Sequence, residues 1–180
     1  MSKAFTKDEA WEEPVVAPRA PLPPDVPNYV TPRGLAALRS ELAGLEALRQ
    51  PLDASAADDP EQRRRQAIAG KRLSDLTTRL ASAQLVDPRQ QPHDTVRFGA
   101  IVVLRTLDGG REGEERRLQI VGVDEADAAH GRVAFVAPIA RAVLGLAAGE
   151  TATLHAARGD ELLEVMSIEY ADDGELEQDH

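Results

Sequence analysis

The stretch "AADDPEQRRRQ", residues 56–66, sets Asp58, Asp59 and Glu61 directly beside Arg63, Arg64 and Arg65. Carboxylate oxygens are the ligands Mg²⁺ accepts, and these three acids are close enough in sequence to converge on one hard cation. A pair of carboxylates alone holds Mg²⁺ weakly, so such a site would bind well only where another macromolecule supplied further oxygens. The same acids have a plainer use. Asp58 or Asp59 can cap a helix that begins at Pro60, and Glu61 then sits at the positive end of its macrodipole. The three arginines suit phosphate oxygens, or they neutralise the acids next to them.

Little else in the chain has the makings of a reactive site. Cysteine is absent, which excludes disulfides and thiolate chemistry. His93, His130, His155 and His180 are scattered, with no spacing that pairs two of them on a metal, and read as surface or strand-face residues. Gly109-Gly110 is a hairpin turn rather than a phosphate loop. Asp124, Glu125 and Asp127 look like a metal cluster at first glance, but read as the solvated charge of a loop. Arg158-Gly159-Asp160 reads as a turn.

Both flanks of the acidic stretch have helical period. In "YVTPRGLAALRSELAGLEALRQPLD" Thr31 is a good N-cap and Pro32 fits the first helical position. Leu35, Leu38, Leu42 and Leu45 follow at spacings of three and four, with Leu48 and Leu52 continuing the stripe, and Pro51 is expected to kink or end the helix. The second run places Ala69, Leu73, Leu76, Leu80 and Ala83 on a heptad seam. Two such helices joined by "ASAADDP" make an antiparallel hairpin.

Past Asp87 the period changes. "PRQQPHD" is a linker, and "TVRFGAIVVLRTLDGG", "ERRLQIVGVDEAD" and "GRVAFVAP" read as strands, the last stopped or placed at an edge by Pro138. "IARAVLGLAAGE" is a short helix with Gly145 near its end, and "TATLHAARGDELLEVMSIEY" is a hairpin. The fold class is therefore α+β: an N-terminal antiparallel helical hairpin followed by a small strand-rich domain. The boundaries are an arm over 1–28, the hairpin over 29–87 with its tip near 56–61, a linker over 88–93, a globular domain over 94–170 and an acidic tail over 171–180. Six of the twelve prolines fall in the arm, which is expected to be extended or disordered, with Trp11 and Phe5 as docking candidates on a solubilising tail.

Net charge is -10, which disfavours general binding of nucleic acid. The basic island is residues 61–90, with 7 basic against 3 acidic side chains, and it is the one place a phosphate backbone would be met. No apolar run approaches the roughly 20 residues a membrane span needs, and "MSKAFTKDEAWEEP" lacks a signal peptide's apolar core. A soluble cytoplasmic protein is expected, with no membrane partner.

The segments "YVTPRGLAALRSELAGL", "RLASAQLVD", "VRFGAIVVL", "IVGVDEAD" and "APIARAVLGLAAGE" together resemble the GreA/GreB family of bacterial transcript cleavage factors, over residues 29–170. The resemblance implies a coiled-coil hairpin and an FKBP-like C-terminal domain. It implies RNA polymerase as partner, met at the rim of the secondary channel, with DNA and RNA reached only through that complex. It also implies that the chain is no enzyme and carries no cofactor of its own. Acidic tip residues would share an Mg²⁺ with the polymerase, which itself hydrolyses backtracked RNA. The family's Asp and Glu three positions apart match Asp58 and Glu61, with Asp59 as neighbour. The anchoring loop maps to Val136, Ala137, Pro138, Ile139 and Ala140, and Arg63, Arg64 and Arg65 face nucleic acid or the channel wall. This chain lacks the family's tip signature. Its hairpin is about six residues shorter per arm, a reach reduced by roughly 9 Å at about 1.5 Å per residue. The expectation is a monomeric, divergent Gre-like regulator of elongation, with or without stimulation of cleavage. An FKBP-like chaperone or isomerase, or a generic interaction module, is the reading of another class, and the isomerase is poorly served by a domain offering only Phe98, Phe135 and Tyr170.

Overall fold

A computed structural model describes residues 19, 21–55, 60–157 and 159–170, with 49–55 described by backbone only. In chain order the elements are strand β1 (Asn28–Val30), helix α1 (Pro32–Ser55), helix α2 (Pro60–Ala81), strands β2 (Ala83–Leu85), β3 (Ile101–Asp108), β4 (Glu115–Val121) and β5 (Arg132–Ala134), helix α3 (Pro138–Val143), and strands β6 (Thr151–Ala156) and β7 (Gly159–Glu169). The result is a mixed α+β fold with two parts: a pair of long helices, and a five-stranded sheet in the order β5-β4-β3-β7-β6.

Local chemistry starts α1. Thr31 Oγ1 accepts from Gly34 N at 3.1 Å, and the Thr31 carbonyl accepts the first helical bond from Leu35, as expected of a Thr-Pro entry. Pro51 does not end the helix. It removes one ladder donor, yet α1 continues to Ser55; the described packing between the helices lies towards the start of α1. Leu38 and Leu76 are buried there with Val30, surrounded by Leu35, Leu42, Leu45, Leu80 and Ala83. Full burial of a leucine is worth about 1.5–3 kcal/mol, so these residues hold the helices together at their base. The stripe does not extend as the spacing suggested: Leu48 is 66% exposed.

Short strands close the base, a feature invisible in the leucine pattern. Asn28↔Ala83, Tyr29↔Gln84 and Val30↔Leu85 pair in parallel, and parallel neighbours require a long crossover. Here the crossover is the two helices, so the start of α1 lies beside the end of α2 and the two run antiparallel. The buried Asn28 side chain donates to the Arg79 carbonyl at 2.8 Å and to Ser82 Oγ at 3.0 Å, satisfying an orphan carbonyl of the last turn of α2.

The sheet is antiparallel apart from the parallel β4–β5 edge, and β3 at its centre carries two register shifts against β7. Its core joins Val102, Leu104, Ile120, Leu163 and Val165 to Ala140 and Val143 of α3. The expected strand over 95–100 is instead a turn. Gly99 has φ +87°, and a Cβ there would stand 2.6 Å from Pro88 Cγ, so the chain bends and pairing in β3 begins at Ile101. Val96 exchanges backbone bonds with Gly145 and Leu146 instead. Likewise "GVDEAD" leaves β4 as a 3₁₀ turn over Val123–Glu125 rather than prolonging the strand. The anticipated linker holds a further 3₁₀ turn, Pro88–Gln90, capped by Asp87.

Candidate functional site

Three regions carry the residues singled out by sequence. The first is the far end of the helical pair. Asp58 and Asp59 lie outside the described residues. Glu61 occupies the first turn of α2 with its side chain 75% exposed, and Arg65 reaches it across one helical turn at 3.6 Å. Arg63 and Arg64 are exposed on the same turn. Among the described residues no three acids or histidines converge on a possible metal. Glu61 is a hard oxygen donor suited to Mg²⁺, but one carboxylate supplies a minority of an octahedral shell.

The second region is the loop into α3. Ala137 is the cap residue and Pro138 is the exposed first residue of the helix. Val136 and Ile139 are half-buried, and Ile139 packs on the sheet core. Of the five residues that the family resemblance mapped to docking, Ala140 is 1% exposed, whereas Pro138 is exposed and Val136, Ala137 and Ile139 are partly so. Beside this loop opens a cleft of about 420 Å³, lined by Tyr29, Val96, Arg97, Phe98, Phe135 and Leu144. The rings of Tyr29, Phe98 and Phe135 form a triangle with centroids 5.5–5.7 Å apart. Phe98 and Phe135 stand out in the sequence, but Tyr29 arrives from the helical part and completes the set.

The third region is the junction of the two parts, and sequence reading missed it. Asp124 and Glu125, taken for solvated loop charge, are engaged. Asp124, with its side chain 4% exposed, meets Arg19 Nη1 at 2.9 Å and Arg79 Nε at 3.4 Å. Glu125 accepts from Thr31 N at 2.9 Å, from the Thr31 hydroxyl, and from Gly122 N at 3.3 Å. The first turn of α1 contains no acid of its own; Glu125 brings the negative charge that a helix N-terminus favours from another element. Gly34 makes this possible, because a Cβ there would fall on the Glu125 carboxylate. A glycine three positions into a helix was the available signal. Arg19 also donates to Glu41 of α1. Burial opposes the Arg19 charge, but Glu41 and Asp124 outweigh it and its pKa is raised. Asp127, the third acid of the run, does lie outside this network: His130 at 2.6 Å holds its carboxyl below the ordinary value, helped by Ala129 N and Arg132.

His93 stacks on Tyr170 with ring centroids 4.7 Å apart. Tyr170 donates to Thr95 O at 2.7 Å and accepts from Arg97 N at 3.0 Å, so both are structural. Arg158 and His180 lie outside the described residues. No described helix is long and apolar enough to cross a membrane.

Residues 91–170, the sheet and α3, match the family model described as "Transcription elongation factor, GreA/GreB, C-term". Over 155 residues the chain is 34% identical to transcription elongation factor GreA of Psychrobacter arcticus, covering 78% of this chain and 96% of that one. The chain belongs to the GreA/GreB family. It is equally similar to transcription elongation factor GreB of Neisseria meningitidis, 34% identical over 157 residues with 79% and 94% covered. Among solved structures it is similar to the GreA/GreB elongation factor from Nitrosomonas europaea, at 20% identity, TM-score 0.39, and 81% and 99% of the two chains covered. As a Gre factor, the protein is a transcription elongation factor, and the exposed loop, charged helix end and junction are to be read as parts of one.

Proposed function

We propose that this protein binds bacterial RNA polymerase at its secondary channel and modulates elongation by occupying it, without an active site of its own. The observation that carries the reading is the match to GreA and GreB, which covers 78% of the chain and so extends beyond the sheet into the helical part. In this reading the sheet is an FKBP-like anchor that docks through Val136, Ala137, Pro138 and Ile139 beside the aromatic cleft. The helices are a short coiled-coil stalk of about 33–36 Å at about 1.5 Å per residue. Since 78% of 180 residues is about 140, a 155-residue match contains GreA positions without a counterpart here.

At the tip, Glu61 with Asp58 and Asp59 would offer carboxylate oxygens to an Mg²⁺ whose remaining ligands come from polymerase and water. In two-metal phosphoryl hydrolysis one ion would lower the pKa of the attacking water and another would stabilise the leaving oxygen. The chain's own residues contribute charge and position: Glu61 is exposed, Arg65 partly offsets it, and Arg63 and Arg64 present donors suited to RNA phosphate oxygens. That offset, together with the shortened stalk, favours occupancy of the channel over delivery of a metal. The protein acts as a monomer in the cytoplasm and reaches DNA and RNA only through the polymerase complex. It carries no cofactor of its own.

The deciding experiment is RNA cleavage in a backtracked polymerase complex with Mg²⁺, comparing the wild type with Asp58→Ala/Glu61→Ala. Slowed elongation or displacement of a known cleavage factor, with no transcript shortening by either form, is the expected result. Shortening by the wild type and not by the double variant would instead make the tip a metal-presenting group. Loss of both effects would remove the channel reading.

Docking is tested separately. Pro138→Glu places a charge on the exposed first position of α3, where glutamate suits the helix dipole, so the fold is retained. Polymerase affinity is expected to fall by about 2 kcal/mol, roughly thirtyfold, as for loss of a central contact. Wild-type affinity in a pull-down titration would remove this loop from the interface.

A further inference from the structure

We infer that Arg19, lying ahead of the helical pair, is a positioning residue: by bridging Asp124 and Glu41 it sets the angle between the helices and the sheet. Two contacts at one height make a hinge, and a third at another height makes a brace. Thr31–Glu125 and Arg79–Asp124 both act at the base, where α1 starts and α2 ends. Glu41 stands nine residues beyond Pro32, about 14 Å up the helix at about 1.5 Å per residue. The Arg19–Glu41 bond therefore resists a tilt that the base contacts alone permit.

The surroundings favour such a tilt. Between α1 and the sheet lies a crevice of about 330 Å³, bordered by Gly34, Ala37, Gln119 and Asp127. The wall contributed by α1 is Arg33, Gly34, Ala37, Leu38 and Glu41, of which Gly34 and Ala37 are too small to fill the crevice. Arg19 spans it. Its guanidinium sends Nη1 to Asp124 at 2.9 Å and Nη2 to Glu41. A planar fork can hold two carboxylates at once, whereas a lysine ammonium is a point charge on a flexible stem. Asp124 is itself held by Arg79 of α2, so one acid ties the residues ahead of the helices, the second helix and the sheet together. Leverage makes the brace matter: over a stalk of about 33 Å, a rotation of about 10° at the base moves the far end by about 6 Å.

The test uses the full chain, whose lack of cysteine allows labels to be placed at will. Spin labels at Ala67→Cys, exposed on α2, and Thr153→Cys, exposed on β6, report the angle as a distance distribution. A single narrow distribution is expected for Arg19 and a broadened or displaced one for Arg19→Ala, with Arg19→Lys between them. Glu41→Ala, on a partly exposed helix face, should reproduce the broadening while leaving the Arg19–Asp124 bond in place. It therefore serves even if Arg19→Ala folds poorly. Wild-type distributions in both alanine variants would overturn the inference. The consequence for transcription rests on the proposed function, but the distances are measured on the free protein. Broadening with no change in the effect on polymerase would keep the brace and count against the channel reading.

Discussion

Replacing Asp124 by alanine is expected to lower the unfolding free energy by about 3–5 kcal/mol, the cost of leaving a buried charge uncompensated. The Asp124 side chain is 4% exposed and lies against Arg79, itself 9% exposed, and Arg19. Without the carboxylate, the Arg79 guanidinium stays in a low-dielectric junction with the opposite charge 3.4 Å from its Nε gone. The loss far exceeds that of a surface ion pair such as Lys71–Asp75, for which about 0–1 kcal/mol is usual. Urea denaturation decides it: the midpoint should fall with little change in slope, since the surface exposed on unfolding is nearly the same. A loss below about 1 kcal/mol would mean that water replaces the carboxylate and that the junction is wetter than its burial indicates.

Tyr29→Ala is expected to cost about 2–4 kcal/mol, somewhat less than truncation of a fully buried ring, because Tyr29 is half-buried. It is the ring that the helical part contributes to the triangle with Phe98 and Phe135, and each aromatic pair adds about 0.5–1.5 kcal/mol beyond burial. At about 2–4 °C per kcal/mol for a chain of this size, Tm should drop by roughly 8 °C. Tyr29→Phe keeps the ring and should stay close to the wild type. The effect should also reach function, because Phe135 abuts the loop proposed to dock on polymerase: Tyr29→Ala should weaken that binding while Tyr29→Phe does not. Equal polymerase affinity for the two variants would separate the cleft from the docking loop.

Both predictions concern places the linear pattern did not disclose. Helices were legible because their signals are local. Thr31 and Pro32 make an N-terminal entry wherever they occur together, and leucines at spacings of three and four fall on one side of a helix. How far the seam packs was not legible. Leu48 continues the stripe in sequence yet is exposed, since burial requires a facing side chain at the same height on α2. The strands β3, β4 and β7 followed from runs of Ile, Val and Leu, whereas β1 and β2 did not, because three-residue strands have no period to read. The turn before β3 depended on Gly99 meeting Pro88, a contact between segments that sequence separates.

The candidate site divides in the same way. Glu61, Arg63, Arg64 and Arg65 were identified by type and spacing and Pro138 by the family resemblance, and all of them are exposed. Exposure at a helix start or loop tip is the outcome that local sequence predicts best. By itself, then, the sequence determined the two-part α+β plan, the family and the charged end of the helical pair, all properties of short segments and their order. Tertiary structure alone decided that Ala140 is inaccessible, that Tyr29 completes an aromatic cleft, and that Asp124 and Glu125 are structural rather than solvated. The physical reason is that an acid's role depends on which cations and donors reach it. Here Arg19, Thr31 and Arg79 come from elements distant in sequence, brought to one turn only when the helices seat on the sheet.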